Sequence, residues 1–243
     1  LVGFIALDYA GGIPLLLVAS DRQRQGIGSV LLDRALAELD MAGVSEISAG
    51  SGGDEYIWPG VPLDLPAGTA FFAARGWRSD YDCLDLVRDL RNYRAPAGIA
   101  DRARARDVVT APATRVDRPA IDACETAYFP QWARWFGGDH GEILLARDHT
   151  ESIVGSLLYE FPDGSIYQPM LGPHTGNVSC VGVRPDRHDQ GIGSAMVARA
   201  SELLRDAGCH VCHIGWAVRE AFYGRAGYRP WRRDRMFRAP ATQ

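Results

Sequence analysis

The sequence predicts an α/β protein built as two related units, each pairing apolar strands with amphipathic helices. Two observations predict it. A nine-residue stretch, Asp21 to Ser29, returns as Asp186 to Ser194 with seven positions identical, 165 residues further on. Each copy stands between an apolar strand-like run and a helical pattern, so the repeat is one of structural units and not of composition.

The chain opens in a strand-like run, Leu1 to Leu7, and continues into Ile13 to Ala19. After the first copy of the repeat, Val30, Leu31, Ala35, Leu36 and Leu39 recur at helical steps, and Gly43 supplies a left-handed cap. A short strand is expected at Val44 to Ala49. Phe71-Phe72-Ala73-Ala74-Arg75-Gly76-Trp77 follows, and it has its own echo in Phe222-Tyr223-Gly224-Arg225-Ala226-Gly227-Tyr228. The offset there is 151, so the first half carries 14 extra residues, assigned to the Pro/Gly-rich loop around Tyr56 to Pro62. From Arg91 to about Arg118 periodicity fades into an Ala/Arg/Pro-rich connection with some local structure. The second half reads as a helix pair over Pro119 to Phe136, strands at Glu142 to Arg147, Ser152 to Phe161 and Asn177 to Val183, a helix marked by Met196, Val197, Ala200, Leu203 and Leu204, a Gly208 cap, and a strand at His210 to Trp216. The expected domains are 1–92, a linker at 93–118, and 119–243. The first half has no counterpart of the helix pair, so its unit is expected to lack its opening elements.

Composition narrows the function classes. With 243 residues, 47% hydrophobic and 23% charged, the chain is neither disordered nor fibrous. Its longest apolar stretch, Ile13 to Ala19, is far short of the roughly 20 residues that cross a bilayer, so no membrane partner is expected. A net charge of -4 gives no general attraction to nucleic acid, and no nucleic-acid partner is expected. All 26 basic residues are arginine, a bias that implies no function. Five cysteines and no secretory leader pattern suit a reducing compartment, and the cytoplasm is the expected location.

The two glycine turns carry the chemistry. A strand that ends in Arg/Gln-x-Gln-Gly-x-Gly-Ser and opens a helix gathers backbone N–H groups on one concave turn with the helix dipole behind them, a site for a diphosphate. Ser29 and Ser194 add hydroxyl donors on the first helical turn. A Walker loop is excluded, since the chain has no lysine. A dinucleotide fingerprint needs a third glycine where Leu31 and Met196 stand, which demotes NAD and ATP.

The remaining pattern, Gln23 to Gly28 and His188 to Gly193, resembles the acyl-coenzyme-A-binding segment of the GCN5-related N-acetyltransferases, the GNAT superfamily. The resemblance extends to the strand end Val181-Gly182-Val183-Arg184-Pro185 and to the Phe222 to Tyr228 segment. It covers roughly residues 152–235 and 1–90. It implies two units with mixed, mostly antiparallel sheets flanked by helices, and direct transfer of the acetyl group of acetyl-CoA, as co-substrate, to a small-molecule amine acceptor. It implies coenzyme contacts from Val181, Val183, His188, Asp189, Gln190, Gly191, Ile192, Gly193 and Ser194, and in the first half from Gln23, Gln25, Gly26, Gly28 and Ser29. It also implies an oxyanion donor in the backbone N–H near Val183 and a general acid in Tyr223. His188 departs mildly from the family's Arg/Gln. Tyr223 aligns with Phe72, which has no proton to give, so catalysis is assigned to the second unit. Three roles stay open for the first: coenzyme binding, help with the acceptor pocket through Trp58-Pro59-Gly60, or scaffold.

The base is not identified by the sequence. His174, His210, His213 and Glu220 are the candidates, beside a water chain. Cys209-His210-Val211-Cys212-His213 has the spacing of a haem attachment site, but on a strand its cysteines point to opposite faces, and no metal site is expected. The aromatic group Tyr128, Phe129, Trp132, Trp135 and Phe136 reads first as a core face, and the arginines of Arg229 to Arg238 as a solvated strand edge. A homodimer is compatible with the sequence. The rival function is a non-catalytic coenzyme-A-binding regulatory or scaffold protein.

Overall fold

A computed structural model describes residues 1–50, 59–138 and 141–240. In chain order the strands and helices are β1 (Gly3–Ala6), β2 (Gly12–Ile13), β3 (Leu15–Val18), α1 (Ile27–Met41), β4 (Ser48–Ala49), β5 (Val61–Pro62), α2 (Pro66–Ala74), β6 (Arg78–Asp89), α3 (Asp101–Arg104), β7 (Val109–Pro112), α4 (Arg118–Tyr128), α5 (Ala133–Phe136), β8 (Glu142–Arg147), β9 (Ile153–Glu160), α6 (Gln168–Leu171), β10 (Thr175–Val183), α7 (Ile192–Asp206), β11 (Val211–Ala217), α8 (Glu220–Gly224) and β12 (Arg229–Arg238). They form two compact units. Unit one comprises residues 1–85 and 232–243, and unit two residues 86–231.

In unit one, β1 and β3 form an antiparallel pair from Gly3↔Val18 to Ala6↔Leu15. The apolar run from Ile13 is cut in two because Pro14 has no amide to give to a ladder. β2 lies parallel to β4 through Gly12↔Ser48 and Ile13↔Ala49, and β4 is antiparallel to β12 through Ala49↔Phe237. The expected strand at Val44 to Ala49 contracts to its last two residues. α1 buries Leu32, Ala35 and Leu39, a three-then-four spacing that turns one face inward. It ends at Gly43, φ 75°, where the Gly43 amide reaches the Asp40 carbonyl and the Val44 amide that of Leu39, both at 2.9 Å. The core joins Ile13, Leu32, Leu39, Phe72, Trp77 and Phe237. Phe72 lies 5.0 Å from Trp77 and 5.6 Å from Phe237, ring centre to ring centre.

Unit two orders its strands β7-β8-β9-β10-β11. The first three contacts are antiparallel and the last is parallel, a mixed and mostly antiparallel sheet. α7 buries nearly its whole length, with Ile192, Met196, Val197, Ala200 and Leu204 inward. α4 and α5 pack through Ile121, Cys124, Phe129 and Phe136 onto Leu145, Ile153 and Leu158. The aromatic group thus divides: Phe129 and Phe136 are core, while Tyr128 is exposed beneath the Arg184 guanidinium, 5.1 Å from its ring centre. Residues 93–118 carry α3 and β7 within unit two. Among the described residues no helix is long and apolar enough to cross a membrane.

Candidate functional site

Strand divergence creates the site in unit two. β10 and β11 run in register at Thr175↔Val211, Gly176↔Cys212 and Asn177↔His213, and pair no further. Beyond that point β10 stays with β9 and bulges between Ser179 and Gly182, where Cys180 takes φ 50°. Gly182 is required there, because a Cβ would lie 2.9 Å from the Phe129 ring. Unit one repeats the arrangement 165 residues earlier: Gly12↔Ser48 corresponds to Asn177↔His213, and the break at Pro14 falls where β10 bulges.

At the end of β10 the chain makes a 3-10 turn, Pro185–Arg187, and enters α7 through Asp189 at φ 60° and Gly191 at φ 82°. Arg24 at 62° and Gly26 at 83° trace the same path in unit one. The His188 Nε2 lies 2.8 Å from the Val183 carbonyl, and the Gln23 amide donates to the Val18 carbonyl at 3.1 Å. His188 therefore does what a glutamine does at this position, tying the turn back onto the strand end. Gln190 and Gln25 repeat a second tie, to the Asp186 and Asp21 carbonyls at 3.5 and 3.4 Å. These bonds leave the amides opening α7 and α1 directed out of the turn, without intrahelical partners. Ser194 is buried at the helix start and Ser29 half-buried. Val181 and Val183 are half-buried along the strand end, Ile192 and Gly193 are buried, and Asp189 is exposed.

The surroundings of the two turns differ. In unit one a Cβ on Gly26 would meet nothing within 4 Å, and a cavity of about 570 Å³ runs along Leu15 to Val18, the Gln23 to Ser29 turn and Phe71. In unit two Arg102 of α3 lies against the turn. Its Nη2 donates to the Asp189 carbonyl at 3.2 Å, and its Cβ would be 2.8 Å from a Cβ on Gly191. A smaller cavity of about 180 Å³ is lined by Arg102, Ala105, Arg106, Asp189 and Gln190. No sequence signal marks Arg102, which sits in the aperiodic stretch.

α8 is fixed by close packing. A Cβ on Gly193 would stand 2.9 Å from the Phe222 ring, so only glycine lets the ring onto the first turn of α7. The next residue is Tyr223, half-buried, its phenol pushed up to about 12 by burial first and then by nearby Cys180, against a smaller opposing pull from Arg219. It is protonated at neutral pH. In unit one a Cβ on Gly28 would clear the Phe71 ring at 3.6 Å, and Phe72, in the place of Tyr223, is absorbed into the core.

Of the base candidates, His174 and His210 are exposed with rings 4.4 Å apart, and Glu220 is exposed. His213 is buried, with its Nδ1 3.0 Å from the Asn177 Oδ1. Two carboxylates escaped the sequence reading. Glu125 on α4 is buried, hydrogen-bonded by Ser156, and raised to about 7 by burial. Glu160 at the end of β9 is raised to about 7 by burial, against a lowering hydrogen bond from Asn177. Glu125 had a legible signal: with Ile121, Cys124 and Tyr128 it falls on the apolar stripe of its helix. Cys209 and Cys212 are buried free thiols, raised to about 11 and about 12 by burial. Among the described residues no group of three or more His, Cys, Asp or Glu side chains is placed to hold a metal. Tyr56, Ile57 and Trp58 lie outside the described residues.

Residues 111–228 match the acetyltransferase (GNAT) family model. A mycothiol acetyltransferase of Clavibacter sepedonicus is 28% identical over 214 residues, covering 79% of this chain and 60% of the relative. The chain thus spans about three-fifths of the length of that relative. Among solved structures, the GCN5-related glucosamine N-acetyltransferase region of a fungal multi-domain GH3 beta-N-acetylglucosaminidase superposes with a TM-score of 0.85 at 28% identity, over 98% of this chain and 31% of that one. A tandem GNAT protein from the clavulanic acid biosynthesis pathway shares the fold, with a TM-score of 0.66 at 18% identity over 96% of this chain and 75% of that one.

Proposed function

We propose that this chain, whose residues 111–228 match the acetyltransferase (GNAT) family model, transfers the acetyl group of acetyl-CoA directly to the amine of a small molecule, with the chemistry in unit two. The parting of β10 and β11 above a glycine turn, with a protonated phenol next to the opening, carries this reading. The diphosphate sits on the amides from Gln190 to Ser194, Val181 and Val183 flank the pantetheine arm, and the acetyl end lies in the opening near Cys180. The acceptor nitrogen attacks the thioester carbonyl, the backbone N–H near Val183 receives the oxygen as charge grows on it, and Tyr223 protonates the departing thiolate. Burial keeps the Tyr223 phenol protonated at neutral pH, so a proton is in place for the departing thiolate. The similarity to a mycothiol acetyltransferase and to a glucosamine N-acetyltransferase region favours a small acceptor.

Unit one favours a second role for itself. Its turn is open beside a cavity of about 570 Å³, yet it has Phe72 where the acid would stand. Coenzyme binding through Gln23, Gln25, Gly26, Gly28 and Ser29, without transfer, fits both facts. The five free cysteines favour a reducing compartment, the cytoplasm.

The test is acetyl-CoA turnover on a panel of amines, compared with Tyr223→Phe. The substitution is expected to lower kcat at least about 100-fold, the scale of general acid catalysis, with coenzyme affinity within about threefold. Binding of acetyl-CoA without turnover on any amine refutes the enzymatic reading and leaves the non-catalytic one.

A further inference from the structure

The transfer reaction requires a group to remove the proton of the incoming ammonium, and the sequence singles none out. One row of side chains crosses the sheet where β10 and β11 cease to pair. Asn177 is in register with Glu160 on one side and with His213 on the other, so the three share a face. Alternation along β9 puts Ser156 and Leu158 on that face too, and these meet α4, through the bond from Ser156 to Glu125 and through Leu158 in the core with Ile121. The row therefore lies on the α4 side of the sheet.

Its polarity is fixed. The Asn177 Oδ1 only accepts, so the His213 Nδ1 donates across the 3.0 Å between them, and the Asn177 amide N–H remains to donate to the Glu160 carboxylate. Tyr167 lies over the His213 ring with centres 3.7 Å apart, and Trp231 meets it edge-on at 5.8 Å. His213 is buried, while Asn177 and Glu160, the last residue of β9, are half-buried. The titratable groups about it are Cys180 on β10, His213 on β11, Glu142 in register with neighbouring Tyr159 on β8, and Glu125 from α4. Glu160 acts electrostatically on Cys180, and Cys180 in turn on Tyr223, which links the row and the proposed acid through one residue.

We propose that Glu160 is the catalytic base that takes the proton of the acceptor ammonium, with Asn177 as the positioning residue that holds its carboxylate and is itself held by His213. The assignment rests on the transferase reading above. The ammonium gives one proton to Glu160. The freed lone pair forms the C–N bond, the C–S bond breaks, and the thiolate takes the proton of Tyr223. The surplus proton on the new amide nitrogen returns to the Tyr223 phenolate, and Glu160 releases its proton to solvent. Burial fits Glu160 to the task, since a carboxyl titrating at about 7 is half ionised at neutral pH and still basic enough to work.

The test is the pH dependence of kcat/KM from pH 5 to 9, with acetyl-CoA and glucosamine, cysteine or tyramine as acceptor, for the unsubstituted chain, Glu160→Gln, Glu160→Asp, Asn177→Ala and Glu125→Gln. Glu160→Gln is expected to lower kcat/KM about 100-fold at pH 7 and abolish the acid limb centred at about 7, with the KM for acetyl-CoA unchanged. Glu160→Asp is expected to restore part of the rate together with the limb, which keeps the test usable if the Gln variant folds poorly. Asn177→Ala is expected to move the limb to higher pH, because a donor to the carboxylate is gone. A Glu160→Gln variant within twofold that keeps its acid limb, or a limb lost in Glu125→Gln alone, overturns the assignment and leaves the transferase reading standing. An unsubstituted chain that binds acetyl-CoA and turns over no amine overturns both.

Discussion

The same substitution at the two repeat-related glycines should have opposite effects. In unit one, Gly28→Ala places a methyl 3.6 Å from the Phe71 ring and 3.7 Å from Val18, ordinary contact distances. Only the helix preference remains, up to about 1 kcal/mol in favour of alanine. In unit two, Gly193→Ala drives a methyl to 2.9 and 3.1 Å from Phe222 ring atoms and 3.3 Å from Val183, on two sides at once. Phe222 must shift, and forcing atoms into a filled site costs about 1 to 3 kcal/mol, which outweighs the helix gain. Native-state hydrogen exchange reads each helix separately, as a two-unit chain requires. Amide protection in α1 should rise by up to about fivefold in Gly28→Ala, whereas protection in α7 should fall about tenfold in Gly193→Ala, for a net loss of about 1.4 kcal/mol. Transfer should drop in Gly193→Ala as well, since Tyr223 follows Phe222 in α8. Equal gains in α1 and α7 would refute the argument from close approach.

Asp234 is wholly buried in unit one, neither carboxylate oxygen has a hydrogen-bond partner among the described residues, and burial first, then Asp85, raises it to about 7. A carboxyl raised above its unfolded value holds its proton longer when folded, so stability should fall as pH climbs from about 4 to about 7 and stay low above. Three pKa units correspond to an upper bound of about 4 kcal/mol. Asp234→Asn should flatten that slope, seen as unfolding midpoints at pH 5 and pH 8 that converge; a slope unchanged by the substitution would exclude Asp234 as its source. His188→Gln should leave acetyl-CoA affinity within about twofold, because Gln23 makes the same tie in unit one, while His188→Ala should weaken binding measured by calorimetry.

Much of this was legible in the chain because the signals were local. The repeated turn, both helices after it and both glycine caps follow from spacing alone, and the structure repeats them down to the positive φ of Arg24 and Asp189. β8 matches its expected bounds, while the Val44 to Ala49 run keeps only two ladder residues because strand length depends on a partner. The Ile13 run shows a local signal overlooked, since Pro14 alone foretells its interruption. Arg102 and Glu160 were out of reach for another reason. Arg102 acquires its place only when α3 meets the turn, and Glu160 only when β9 and β10 set their register. Tyr223 was found through its motif, but its retained proton is a product of enclosure that no spacing expresses.

Unit one is assembled from two stretches far apart in the chain, residues 1–85 and 232–243, with Phe237 packing against Phe72. On a ribosome its first stretch emerges early and must wait for almost the whole of unit two before its missing strand appears. Until then Phe72, Trp77 and their neighbours face water or a chaperone. The domain begun first is therefore the one finished last, and premature stops near residue 231 should damage the leading domain more than the trailing one.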